Sequence, residues 1–177
     1  MKKLETSGSK KLNLGFTLLE TLAIVIIVGI LAAVAAPSWL AFLQRQRLNE
    51  AQDEIFRGIQ KAQDQATQQS TSWQFTLREA TVNGETVLQW RTRNPSLNNN
   101  SAVGWNSLDA RIKLDSGATA PTPSDPDLAW LVEFDRKGNT DPPFGTVSLT
   151  VDNLSDKRCV KISSLLGALR EAKDGDC

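Results

Sequence analysis

Residues 10–42 read KKLNLGFTLLETLAIVIIVGILAAVAAPSWLAF. From Leu22 to Ala36 there is no polar side chain. With Phe16–Thr21 before it and Ser38–Leu43 after it, a mostly apolar segment runs for about 28 residues, longer as a helix than the roughly 30 Å hydrocarbon core of a bilayer. Lys2, Lys3, Lys10 and Lys11 precede it against Glu5 alone, which places its N-terminal side in the cytoplasm. One carboxylate, Glu20, stands near the start of the run. At membrane depth a carboxylate costs on the order of 2.5 kcal/mol or more, and such groups are usually paired and functional.

Three readings compete on periodicity and charge. A secretory signal peptide has the basic start, the apolar core and small residues such as Val34-Ala35-Ala36. Against it, Pro37 would directly follow the cut, the run is long, and it contains Glu20. A single-span anchor explains the length but not the glutamate. A specialised segment accounts for both.

Composition narrows the chemistry. The chain has 177 residues, enough for one modest domain and an extra element, and 20 basic against 20 acidic side chains. Once the lysine-rich start is set aside the bulk is mildly acidic, which argues against a general nucleic-acid surface. There is no histidine, so the commonest general base and zinc ligand are missing. Two cysteines, Cys159 and Cys177, are too few for a cysteine-only zinc site. No glycine-rich phosphate loop is present. The expectation is no enzyme, no metal and no cofactor.

Helical pattern continues past Pro37. Leu48, Ala51, Ile55, Ile59, Ala62 and Ala66 recur with a mean spacing of about 3.6 residues. Arg45, Arg47, Asn49, Glu50, Asp53, Glu54, Arg57, Lys61 and Asp64 occupy the other face. A helix from Phe16 to Thr67 would be about 78 Å long. Pro37 predicts a bend near Val34–Pro37. Gly29 is either a close-packing point between helices or a tolerated small residue.

After Gln68 the period becomes two. Trp73, Phe75 and Leu77 alternate with polar residues, Val82-Asn83-Gly84-Glu85 is a hairpin signal, and Leu88, Trp90 and Thr92 continue the partner strand. Residues 94–107 read as loop, 110–114 as a short strand and 115–127 as a proline-rich loop. Further strands are expected at Leu128–Phe134, Phe144–Val151 and Arg158–Ser163, with turns at 135–139 and 153–156. Leu165–Lys173 fits a strand or a short helix. Trp73, Trp90 and Trp130 suit a core, Trp39 an interface between membrane and water, and Trp105 a loop contact with another protein. The expected fold class is α+β: a long N-terminal helix packed on a mostly antiparallel β domain.

Gly15-Phe16-Thr17-Leu18-Leu19-Glu20, after a basic leader, resembles the processing motif of type IV prepilins and of the pseudopilins of type II secretion. Gly29 and Pro37 fit the same pattern, which covers about 50 residues. The stretch LVEFDRKGN … VSLTV … KRCVKISSLLGALR, within residues 128–170, is similar to the GspH/FimT-type minor pilins. The leader, residues 1–15, is longer than is usual there.

The resemblance implies cleavage by prepilin peptidase between Gly15 and Phe16, methylation of the new Phe16 amine, and use of Glu20 in filament assembly. Four parts follow: leader 1–15, membrane and assembly half of the helix 16–43, amphipathic half 44–68, and an exported β-rich domain 69–177. Partners would be the peptidase, other pilins or pseudopilins and the inner-membrane assembly platform. The chain would sit in the membrane first and in a filament later. If the domain is exported, Cys159 and Cys177 are expected to form a disulfide; the alternative is two free thiols. The implied function is a structural, minor subunit of a type IV pilus, or else a type II secretion pseudopilin. A different class of function is a DNA-binding tip subunit for DNA uptake. Lys157, Arg158, Lys161, Arg170 and Lys173 could touch phosphates, but Asp152, Asp156, Glu171, Asp174 and Asp176 interleave with them.

Overall fold

The structure is a computed structural model that describes residues 15–97, 104–115, 127–142, 144–152 and 154–177, with residues 35–37 described as helical backbone only. The leader before Gly15, most of the proline-rich loop and the bend expected at Pro37 lie outside the described residues. The chain divides into two compact units, Met1–Leu40 and Ala41–Cys177. Helix α1, Leu18–Gln69, contributes to both.

In the first unit the large apolar side chains from Phe16 to Leu40 are all exposed, between 47% and 85%. In the second unit the same helix buries one stripe. Leu48, Ala51, Ile55, Ile59, Ala62 and Ala66 are each at most 4% exposed. The 3.6-residue period places all six on one face, and that face supplies the helical side of the core. A Schellman motif ends the helix: Thr71 N–H bonds Ala66 O, Ser70 N–H bonds Thr67 O, and Ser70 takes φ 51°. The chain thereby turns into the first strand.

Among the described residues eight strands follow, in two antiparallel sheets. β1 (Trp73–Val82) and β2 (Glu85–Arg93) form a hairpin in which Val82 pairs with Glu85. Asn83 and Gly84 sit at φ 54° and 85°, the two left-handed positions that a two-residue type I′ turn requires. β3 (Asn106–Ser107) and β5 (Trp130–Phe134) complete the first sheet, in the order β3-β2-β1-β5. The second sheet runs β4 (Ile112–Leu114), β6 (Thr146–Val151), β7 (Lys157–Ile162), β8 (Leu169–Lys173).

Two sequence expectations need correction. The loop reading of 94–107 misses β3, whose two residues pair with Gln89 and Trp90 of β2. The segment 165–173 is a strand only from Leu169, and Leu165–Ala168 is the connection before it.

Phe75, Leu77, Leu88, Trp130 and Phe134 from the first sheet meet Ile112, Val147, Leu149, Val160 and Ile162 from the second in one core with the helix stripe. Phe75 stacks on Trp90 at 5.7 Å and meets Trp130 edge-on at 6.0 Å. The helix approaches the first sheet closely at Gly58. A Cβ there would lie 2.7 Å from Phe75 and 2.9 Å from Trp90. Glutamines join helix to sheet where apolar contact ends. Gln52 Nε2 donates to the carbonyls of Cys159 and Ala172, and Gln63 Nε2 to those of Gly138 and Leu166.

The β5–β6 turn is organised by Asp135. Its Oδ1 accepts the backbone N–H groups of Lys137 and Asn139, and Gly138 takes φ 79°. The Asn139 N–H above all, with that of Lys137 and the Asn139 side chain, holds the Asp135 carboxyl below its ordinary value of 3.8.

Two outcomes are expected. Helix propensity alone makes Gly58→Ala stabilising by about 1 kcal/mol. Overpacking against Phe75 and Trp90 reverses that sign, to a net loss of about 1–3 kcal/mol in denaturant titration; a gain would show that the close approach does not constrain the fold. A carboxyl whose pKa falls on folding stabilises above its unfolded value and loses that contribution as pH drops through the folded value. Asp135→Asn should therefore flatten the decline of melting temperature below pH of about 4, whereas parallel curves for the two proteins would contradict it.

Candidate functional site: the start of the long helix

Gly15, Phe16 and Thr17 precede the first helical turn. Thr17 ends the non-helical entry and caps α1. Its Oγ1 accepts the Glu20 N–H at 3.2 Å, and its carbonyl accepts the Thr21 N–H at 3.1 Å. Thr21 Oγ1 in turn donates to Leu18 O at 2.9 Å. Thr17-x-x-Glu20 therefore has capping-box spacing, with an acid in the first turn where the helix dipole favours negative charge. The cap made by Thr17 follows from the T-x-x-E pattern but was not among the sequence expectations.

Gly15 has open space around it, and Phe16 and Glu20 are exposed. The segment thus presents an accessible Gly-Phe bond, a capped helix start, and one carboxylate followed by an apolar surface. Among the described residues no single helix is long and apolar enough to cross a membrane. Leu18–Val34 and Ser38–Gln69 meet that measure only when taken together across residues 35–37.

Cys159 and Cys177 are joined by a disulfide with Cα atoms 5.7 Å apart, closing a separation of 18 residues. The bridge reaches from buried β7 to the residue that follows the short 3₁₀ turn Asp174–Asp176. The basic cluster near the C-terminus is partly consumed by its neighbours. Lys157 pairs with Asp115 at 2.9 Å, and Arg158 reaches Asn49 at 2.8 Å and Asp174 at 3.5 Å. Asp156 pairs with Arg45 at 2.8 Å.

Of the tryptophans, Trp130 is fully buried, whereas Trp73 and Trp90 are half-buried against the core. Trp90 Nε1 donates to Glu54 of the helix at 2.8 Å. Trp105 is held by the protein itself, with the guanidinium groups of Arg78 and Arg91 4.0 and 4.3 Å from its ring centroid. No group of three or more His, Cys, Asp or Glu side chains among the described residues could hold a metal.

No protein-family model and no curated protein matches the chain. It is similar to a solved structure, the crystal structure of the type IV minor pilin FimU of Pseudomonas aeruginosa strain PAO1. The identity is 18%, over 73% of this chain and 90% of that one, with a TM-score of 0.49. What this chain does is therefore read from its own residues.

The bridge has a measurable consequence. Closing a loop of this size restricts the unfolded chain by about 3 kcal/mol. Cys177→Ser should lower unfolding free energy by about that amount, and reduced wild type should match the variant. Equal stability of oxidised wild type and Cys177→Ser would remove the bridge from the account of stability.

Proposed function

We propose that the chain is a structural subunit, a minor pilin, of a type IV pilus or related filament. Prepilin peptidase cuts it between Gly15 and Phe16, the Phe16 amine is methylated, and the subunit assembles through the first half of α1. One observation carries this reading. From Leu18 to Val34 and from Ser38 to Leu40 the helix is exposed and largely apolar all round, and the one carboxylate of those two stretches, Glu20, stands in the first turn. A helix apolar all round has to be covered, by lipid before assembly and by neighbouring helices after it.

The chemistry of Glu20 fits both stages. In the uncut chain the Phe16 nitrogen is an amide and carries no charge. Cleavage after Gly15 creates an ammonium four residues from Glu20. Two opposite charges about 4 Å apart attract far more strongly in a low dielectric than in water. Glu20 of an incoming subunit can meet the Phe16 amine of the preceding one, which favours one axial register. The assembly platform in the inner membrane and other pilins are the partners this requires. A pseudopilin of type II secretion would use the same helix and the same pair.

The cap and the charge separate by substitution. Glu20→Gln keeps capping-box chemistry and removes the charge. The variant is expected to be processed like wild type, to insert in the membrane, and to fall at least ten-fold in filament-associated protein. Normal incorporation of Glu20→Gln would leave only the capping role. Gly15→Leu should block cleavage, read as retention of the leader by mass spectrometry.

A further inference from the structure

β5 is the outer strand of its sheet. One edge pairs with β1, and the other has no partner strand among the described residues. An open cleft of about 460 Å³ runs along that free edge, between Trp130–Glu133 on one side and Thr140, Asp141, Pro142, Phe144 and Gly145 on the other. Its walls combine two chemistries. Trp130, Val132 and Ile162 are buried core residues that reach it from inside, and Phe144 stands at its rim, 38% exposed. Among the described residues that line it the charged ones are all acidic: Asp141, Glu133, whose Oε2 also accepts Gln74 Nε2 at 2.7 Å, and Asp135, which organises the adjoining turn. Trp130 Nε1, buried in the same strand and packed against Gly145, has no hydrogen-bond partner among the described residues.

A neighbouring loop enlarges the surface. Thr140 N–H donates to Leu165 O, and Gln63 holds Leu166 O, so the backbone of the β7–β8 connection is anchored. Leu165 and Leu166 nevertheless remain 56% and 74% exposed. Two adjacent leucines on a fixed backbone beside a cleft are more than the scattered apolar exposure any surface carries.

We propose that this cleft is a strand-addition site for an extended segment of a different polypeptide, one with at least one lysine or arginine set among apolar residues. Main-chain groups on an open strand edge accept an added strand, while pockets beside them select alternate side chains. The apolar floor fits one face of such a segment, and the acidic rim fits its basic residues. The rim also argues against a second copy of this chain adding through its own β5, since that sets two acidic edges against each other. The inference does not depend on the role of Glu20, so either reading can fail without the other.

The test uses the full chain in detergent micelles and a displayed library of random ten-residue peptides. Enriched peptides are expected to alternate apolar and basic residues. The best one, synthesised, should slow amide exchange within Trp130–Phe134. Asp141→Lys and Glu133→Lys are expected to weaken that peptide at least ten-fold each while keeping the wild-type melting temperature; Asp141 is exposed, so its variant serves if Glu133→Lys is destabilised. Four results overturn the proposal: no enrichment, enriched peptides without a basic residue, a bound peptide that leaves β5 exchange unchanged, or unchanged affinity in the Asp141→Lys variant. Protection of β5 that rises with the chain's own concentration, without peptide, also overturns it by assigning the edge to a second copy.

Discussion

One helix runs through both compact units, and the two stretches differ in how their side chains are covered. Its first half is apolar on all sides and its second half on one. The fold of the second unit rests on that single stripe from Leu48 to Ala66, because both sheets bury their inner faces against it. The stripe combines bulky and small residues. Ala51, Ala62, Ala66 and, beside it, Gly58 let β-sheet side chains come near the helix backbone, while Leu48, Ile55 and Ile59 fill the space between. Apolar burial of this kind is the main term holding such a domain. The exposed pairs Arg45–Asp156 and Arg47–Asp109 add little to it.

Polar groups then settle where the sheets end. Gln52 answers two carbonyls of the β7–β8 pair and Gln63 two carbonyls of adjacent turns. Each glutamine replaces water that the packed helix has excluded. Trp90 solves a related problem: its ring joins the core while its N–H reaches outward to Glu54. These bonds set where each sheet meets the helix more than they raise the total stability.

The sequence made the stripe and the first hairpin readable because both depend on local rules. Six apolar positions at one period indicate a buried helix face, and Asn83-Gly84 indicates a turn whatever surrounds it. β3 was hidden because two residues carry no period; its pairing depends on β2, over a dozen positions away. β8 reads Leu-Arg-Glu-Ala-Lys, all good helix formers, and only its register against β7 makes it a strand. At the start of the helix Gly15–Glu20 resembles a processing motif, and the T-x-x-E spacing inside it also indicates the Thr17 cap that the structure shows. The cleft beside β5 could not be read at all, since residues near 130, 140 and 162 meet there only in the folded chain.

The way α1 is fastened also determines how the second unit resists force. The helix is secured at intervals from Gln44 and Arg45, which reach Asp152 and Asp156, through Gln52, to Gln63 near its end. Five of the six buried side chains of the stripe, Leu48 to Ala62, lie between those fastenings, and Ala66 lies just past Gln63. A pull along the helix axis therefore loads them in shear, all together, and the seam cannot open one contact at a time as a zip does. A pull across the axis at either end would meet only the nearest fastening. The domain is thus mechanically anisotropic, strong along its helix and weaker across it, and that direction is set by which residues of one helix face inward.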